Sequence, residues 1–246
     1  MDGFLILKIG LIGSLLGLAQ TPAVETLPSE AELYTGDEYS DAFSNPSDDP
    51  DRPNVLLIGD SISIGYTVEV RQLLSGRADV FRIPTNGRYA SYGLEHLAEW
   101  LGQTEWDVIH FNWGLWDICY RHPESPNQGH RDKENGTLTA LPEQYEESLS
   151  EIVSVLKNMD AQLIWCATTP VPESEFGRFV GDEITYNKIA ADIMRKNDIR
   201  INDLHTHARS KLPEIQKAKG DVHFTTEGYE YLAIQVARSI SQRLAE

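Results

Sequence analysis

The 246-residue sequence is poor in positive charge. Its 21 lysines and arginines are outnumbered by 38 aspartates and glutamates, and the formal net charge is −17. A phosphate backbone requires a basic surface, so we expect no nucleic-acid partner. The sequence also lacks a Gly-x-x-x-x-Gly-Lys loop and a Gly-x-Gly-x-x-Gly motif, and it therefore predicts no nucleotide cofactor.

Cysteine is also scarce, because only Cys119 and Cys166 are present. Both follow predicted strands and could be neighbours in space, but two separate thiols in a packed core are the favoured interpretation. Two cysteines identify no redox compartment. The paired histidines at 205–207 have no cysteine or carboxylate cluster beside them, so no metal site is predicted.

The sequence has no long apolar run that clearly spans a membrane. Residues 1–20 are apolar but short and rich in glycine, and they contain one lysine. The small-x-small pattern at 17–19 indicates a signal peptide over residues 1–19 and a secreted or periplasmic protein with no stable membrane span when mature. An uncleaved anchor and a mistaken start codon are the alternatives. Residues 20–53 are acidic and poor in core-forming residues, which predicts a flexible linker.

From residue 54 onward, short apolar runs alternate with longer helical patterns. The apolar runs predict five strands, at 54–59, 79–83, 107–113, 161–168 and 199–203. Nearly continuous apolar strands are typical of a parallel sheet covered on both faces. The sequence therefore predicts one domain over residues 54–246, a three-layer α/β/α fold with a mostly parallel five-stranded sheet.

Functional groups in such sheets gather at the carboxyl ends of the strands. Ser61 follows the first strand and begins the next helix. A serine needs a nearby base to become nucleophilic, and His223, in the loop before the last helix, is the best-placed histidine. Asp221 could orient its ring. The polar segment 118–141 could cover this site as a lid or be ordinary surface.

The stretches "GDSIS" at 59–63 and "DVHFTTEGY" at 221–229 resemble the SGNH, or GDSL-like, hydrolase superfamily. The resemblance implies a flavodoxin-like fold and a serine esterase that needs no cofactor. It also implies Ser61 as nucleophile and His223 as base. The backbone N–H groups of Ser61 and Gly87 would form part of the oxyanion hole.

The chain departs from the family pattern in its third block. The family has Gly-x-Asn-Asp there and its asparagine donates to the oxyanion, whereas this chain has tryptophan at that position, Trp116. Asn112 could donate instead, or it could hydrogen-bond the local turn.

The family acid usually precedes the histidine by three positions, where this chain has Gly220. Asp221 is one residue closer to His223 and is our candidate. Asp203, a backbone carbonyl or a Ser–His dyad are the alternatives.

We expect an acyl-enzyme mechanism that removes small acyl groups, such as acetyl, from carbohydrate or similar esters. Trp116 could stack on a sugar or belong to the core, and Trp113 is expected in the core. A lipase or thioesterase and an inactive carbohydrate-binding protein are the alternatives. Ser63 is a second candidate nucleophile but is expected to decorate the first helical turn.

Overall fold

A computed structural model describes residues 30–246 of the chain. The predicted signal peptide at 1–19 lies outside the described residues. Five parallel strands form the central sheet in the order β2-β1-β3-β6-β7. They are β1 (Asn54–Ile58), β2 (Asp79–Arg82), β3 (Val108–Phe111), β6 (Gln162–Cys166) and β7 (Arg200–Asn202).

The three inner strands are buried on both faces, as their continuous apolar sequences predicted. In β1, Val55 pairs with Val80 of β2 on one side and with Val108 of β3 on the other. The sheet requires helical crossovers, since parallel neighbours cannot be joined by a tight turn. The predicted three-layer α/β/α fold is confirmed.

Two groups of helices cover the sheet. On one side α3 packs against α9, and on the other α5 lies between α4 and α6. The apolar face of α5 is buried, because its apolar residues recur at helical spacing. The bounds are α3 (Ser61–Leu73), α4 (Ala90–Leu101), α5 (Pro142–Leu156), α6 (Asp182–Lys196), α7 (Leu204–Arg209), α8 (Leu212–Ile215) and α9 (Thr226–Leu244).

The polar segment 118–141 is a folded excursion beyond the carboxyl end of β3. It contains a small antiparallel pair, β4 (Tyr120–Arg121) with β5 (Thr137–Leu138), and a short 3-10 turn between them. This segment contributes Arg121 and Arg131 to the cavity beside Ser61. It therefore forms part of the wall of the candidate site.

Residues 30–53, which form most of the flexible linker predicted at 20–53, pack against the sheet domain. They include two short helices, α1 (Glu30–Leu33) and α2 (Ser40–Phe43). Arg71 donates to the carbonyls of Asp41, at 2.7 Å, and Ala42, at 3.0 Å. Asn45 exchanges two hydrogen bonds with the backbone of Arg82. Composition missed this packing because many of its contacts use backbone carbonyls, an amide and charged side chains, while few apolar side chains take part.

Cys119 and Cys166 are both buried and both free. The two thiols therefore occupy separate core positions, the interpretation that the sequence favoured. Between residues 30 and 246, no helix is long and apolar enough to cross a membrane.

Candidate active site

Ser61 is the first residue of α3, directly after the carboxyl end of β1. The helix begins here because the carboxylate of Asp60 accepts a hydrogen bond from the Ile62 N–H at 2.9 Å, which caps the first turn. The first N–H groups of a helix have no intrahelical partner, and the helix dipole is positive at this end. The local sequence thus sets the Ser61 side chain where negative charge is stabilised.

Ser61 Oγ lies 2.9 Å from Nε2 of His223, and His223 Nδ1 lies 2.6 Å from Oδ1 of Asp221. An ionised carboxylate can only accept, so Nδ1 of a neutral imidazole carries the proton and donates it to Asp221. Nε2 is then the acceptor for the Ser61 hydroxyl. The structure brings these three predicted residues into one hydrogen-bonded chain.

The position of Asp221, two residues before His223, does not prevent its contact with the ring. Its Oδ1 accepts both the Nδ1–H and the backbone N–H of His223, the latter at 3.0 Å. Burial raises the pKa of Asp221, but the hydrogen bonds and charge of His223 outweigh this effect and bring the pKa to about 2. Asp203, the alternative partner, instead caps α7 by accepting from the Thr206 N–H.

Ser63 is buried and fully engaged. Its hydroxyl donates to the Asp60 carbonyl at 2.8 Å and accepts from Nη2 of Arg82 at 2.6 Å. A hydroxyl held by a cationic donor has no base to remove its proton. The structure therefore favours Ser61 over Ser63 as the candidate nucleophile.

Two of the predicted oxyanion donors already have other partners. The Gly87 N–H donates to the Gly59 carbonyl at 2.9 Å. The Asn112 amide donates to the Cys166 carbonyl at 2.7 Å and to Thr168 Oγ1 at 3.2 Å, which ties the end of β3 to β6. These contacts do not support either residue as an oxyanion donor. The Ser61 N–H, at the start of α3, is the remaining candidate of the predicted set.

The tryptophans of the third block have different surroundings. Trp113 is fully buried, and its ring nitrogen donates to the Gly87 carbonyl at 3.0 Å. Trp116 lines the cavity beside Ser61, and the guanidinium carbon of Arg121 lies 4.6 Å from its ring centroid. Trp113 is thus a core residue, whereas Trp116 is also buried but forms part of the cavity wall.

Three arginines, which the sequence did not single out, line the same cavity as Ser61 and His223. They are Arg121, Arg131 and Arg178. They come from two loops that are distant in sequence, so no local motif connects them. They come together at this edge of the sheet only when the chain folds. The protein as a whole is strongly acidic.

The cavity beside Ser61 is narrow, with a volume of about 50 Å³. Tyr34, from the segment after α1, closes one side by stacking its ring on the imidazole of His223, at a centroid distance of 4.4 Å. A much larger open depression of about 1270 Å³ lies at the opposite end of the sheet, near Asn54 and Asp107. It contains neither Ser61 nor His223, so size alone does not identify the candidate site.

Over residues 30–246, no group of three or more histidine, cysteine, aspartate or glutamate side chains is arranged to hold a metal ion. The chemistry available at this site is that of the serine, the imidazole and the carboxylate, together with the surrounding arginines.

Comparison with solved structures identifies the fold. The chain is similar to the acetyl xylan esterase AlAXEase, with a TM-score of 0.61, 16% identity, and coverage of 76% of this chain and 99% of that one. The chain has the SGNH hydrolase fold. An acetylxylan esterase from Geobacillus stearothermophilus has the same fold, with a TM-score of 0.60, 18% identity, and coverage of 76% and 94%.

A lipase/acylhydrolase from Enterococcus faecalis shares the SGNH fold at a TM-score of 0.60 and 19% identity, with coverage of 78% of this chain and 96% of the other. The sequence matches no protein-family model and no curated protein. At such identities the likeness concerns the fold, and the chemistry of this chain has to be argued from its own residues.

Proposed function

We propose that the protein is a serine ester hydrolase that works through an acyl-enzyme. Ser61 Oγ attacks the ester carbonyl carbon while His223 Nε2 accepts the hydroxyl proton. His223 then gives that proton to the alcohol oxygen as the ester bond breaks, which leaves the acyl group on Ser61. Water then attacks the acyl carbon as His223 takes its proton, and His223 returns that proton to Ser61 Oγ as the acyl bond breaks and the acid leaves. The observation that carries this proposal is the hydrogen-bonded chain of Ser61, His223 and Asp221.

In this mechanism Asp221 holds the imidazole in the tautomer that leaves Nε2 free to accept. Its carboxylate also stabilises the imidazolium that forms during the attack. The backbone N–H of Ser61, at the positive end of α3, is the proposed donor to the oxyanion. Gly87 and Asn112 have other partners, so their predicted contribution would require a change in the contacts described above.

We infer a small acyl group, acetyl in the first place, and a carbohydrate on the alcohol side. Trp116 lines the cavity beside Ser61, although little of its surface is exposed, and this position supports a sugar, since sugar rings stack on aromatic faces. Two proteins of the same fold are named acetyl xylan esterases, which favours the same substrate class.

Two alternatives predict different behaviour. A lipase or thioesterase would prefer long acyl chains, and one structural neighbour is named a lipase/acylhydrolase. An inactive carbohydrate-binding protein would bind a sugar but leave Ser61 unreactive. The hydrogen bond between Ser61 and His223 favours the enzyme over the inactive protein.

The test uses a fluorophosphonate probe together with acetate release from acetylated xylan and p-nitrophenyl acetate. We expect labelling of the wild-type protein and loss of both labelling and turnover in Ser61→Ala. Ser154→Ala, an exposed position on α5, is the matched control and should keep full activity. Turnover that persists in Ser61→Ala would overturn the proposal, and a series of longer p-nitrophenyl esters would reveal a lipase.

We also propose that the protein is exported, with residues 1–19 removed and the catalytic domain formed by residues 54–246. The small-x-small pattern at 17–19 supports this cleavage. N-terminal sequencing of the protein recovered outside the cytoplasm should then begin at Gln20. A chain that retains Met1 in the cytoplasm would contradict it.

A further inference from the structure

The cavity beside Ser61 concentrates cationic side chains in an acidic molecule. Arg121, Arg131 and Arg178 line the cavity, although the chain as a whole carries a formal charge of −17. The buried carboxylate of Glu175 forms ion pairs with Arg131, at 3.0 Å, and with Arg178, at 2.9 Å. These two cations therefore share one anion.

The third cation, Arg121, is paired with Glu32, which belongs to α1 at the amino-terminal end of the described chain. Arg121 also donates to the carbonyl of Gly129 and lies over the ring of Trp116. The guanidinium is thus held in place by its own loop and by an aromatic face. Glu32 is its carboxylate partner, and it comes from outside the sheet domain.

Glu32 and Tyr34 together fill the region that a substrate needs. Tyr34 stacks on His223, and both residues line the cavity of about 50 Å³. Binding sites for small organic molecules have volumes of roughly 300–1,000 Å³. A sugar ester therefore cannot reach Ser61 unless this amino-terminal segment moves, and its departure leaves Arg121 without its carboxylate.

When Glu32 leaves, the remaining charges are no longer balanced. The three arginines then face two carboxylates, those of Glu175 and Asp221, and Asp221 is already bonded to His223. The cavity keeps one positive charge in excess. A partly desolvated guanidinium without an anion is unfavourable, and an acidic ligand would restore the pairing.

We propose that the preferred substrate is an ester on a sugar unit that carries a carboxylate, and that this carboxylate replaces Glu32 at Arg121. The proposal rests on the proposed esterase function and specifies its substrate class. Without substrate, the carboxylate of Glu32 occupies the position of the sugar carboxylate, and Tyr34 occupies the position of the sugar ring. Arg121 is then a specificity-determining residue, and its contact with Trp116 sets the carboxylate beside a stacking surface.

The test compares acetate release from an O-acetylated oligogalacturonide and from the same oligosaccharide after reduction of its carboxylates to alcohols. We expect kcat/KM to be about ten-fold higher for the acidic substrate, the size of one charge-assisted hydrogen bond. High salt should reduce this ratio. Arg121→Gln should bring the ratio to about one. Arg195→Gln, which removes an exposed arginine outside the cavity, is the charge-matched control and should keep it.

Glu32→Gln provides a second test that does not depend on the folding of the Arg121 variant. Because this change removes the competing carboxylate, the acidic substrate should gain several-fold in kcat/KM over the neutral one. Calorimetry with the deacetylated oligogalacturonide adds a readout that needs no turnover. Binding that is lost in Arg121→Gln supports the proposal.

The outcomes separate the two proposals. Equal rates on both substrates, with no calorimetric binding of the acidic oligosaccharide, would overturn the carboxylate site while Ser61 labelling upholds the esterase. Arg121-dependent binding without labelling or turnover would overturn the esterase and uphold the site. Loss of labelling, turnover and calorimetric binding together would overturn both the esterase and the carboxylate site.

Discussion

The ring of Tyr34 stacks on the imidazole of His223, with the two planes 24° apart. Tyr34 belongs to a segment that the sequence predicted to be a flexible linker, yet it covers the residue that we propose as the base. The Asn86 amide donates to the Leu33 carbonyl at 3.1 Å and holds this segment over the site. Access to Ser61 is therefore coupled to the position of residues 30–35.

We expect Tyr34→Ala to label faster with a fluorophosphonate and to have a lower KM for acetylated xylan. An aromatic pair contributes about 0.5–1.5 kcal/mol, so the change should be roughly two- to ten-fold. Tyr34→Phe keeps the ring and is the matched control, with rates close to wild type. Slower labelling in Tyr34→Ala would indicate that Tyr34 supports His223 rather than covering it.

Asp221→Asn should distinguish a triad from a dyad. Asn cannot stabilise the imidazolium, and it no longer selects the required tautomer, so kcat should fall by about 10⁴. The pKa of Asp221 is lowered to about 2, so we expect this loss throughout an assay range of pH 5 to 8. Asp203→Asn keeps the cap of α7 and should retain wild-type kcat in the same assay. A loss below about ten-fold in Asp221→Asn would favour the dyad.

The buried carboxyl of Asp117 should make stability depend on pH. Its Oδ1 accepts from the Ala90 N–H at 2.8 Å, its Oδ2 has no partner, and burial raises its pKa to about 8. A folded pKa above the unfolded value of 3.8 stabilises the protein at low pH, and this contribution is lost as the pH rises from about 4 through 8.

Asp117→Asn keeps the acceptor for Ala90 and removes the proton equilibrium. The free energy of unfolding of the variant, relative to wild type, should therefore increase between pH 4 and pH 8, by at most about 1.4 kcal/mol per pH unit. Urea unfolding at several pH values measures this difference. Asp160→Asn, at an exposed position, is the control for the loss of one carboxyl group. If the free energy of unfolding changes with pH in the same way in both variants, the prediction is contradicted.

Gly65 allows α3 and α9 to approach closely. A Cβ at this position would overlap the ring of Tyr229 on α9. Gly65→Ala should gain about 1 kcal/mol in helix propensity and lose about 1–3 kcal/mol through overpacking. We therefore expect a net loss of stability in thermal unfolding. Ser154→Ala, at an exposed helical position, is the control and should not destabilise the protein. A Gly65→Ala variant as stable as wild type would show that α3 and α9 can shift to make room for the added Cβ.

The comparison of sequence and structure is clearest at the oxyanion hole. The resemblance implied Gly87 there, and Asn112 was the candidate to replace the family's third-block asparagine. In the structure the Gly87 N–H donates to the carbonyl of Gly59, just after β1, and the Asn112 amide donates to the carbonyl of Cys166 in β6. Hydrogen-bond partners across a sheet depend on strand order and register, which a linear pattern does not contain.

The three arginines of the cavity illustrate the same limit. Arg121 and Arg131 lie in the excursion after β3, and Arg178 lies before α6. None of the three lies in a local sequence pattern that indicates a binding site. Their common position follows from the way these loops fold over the carboxyl edge of the sheet.

Local sequence patterns were sufficient to predict the parallel α/β architecture and the proximity of Ser61 and His223. Apolar runs and helical periodicity are local properties, and the carboxyl ends of parallel strands share one edge of the sheet. The contact of Asp221 with the imidazole, the position of Tyr34 over it and the arrangement of the arginines around it are seen only in the folded chain. These relationships depend on loop conformation and on contacts between distant segments, where a change of a few ångströms makes or breaks a hydrogen bond.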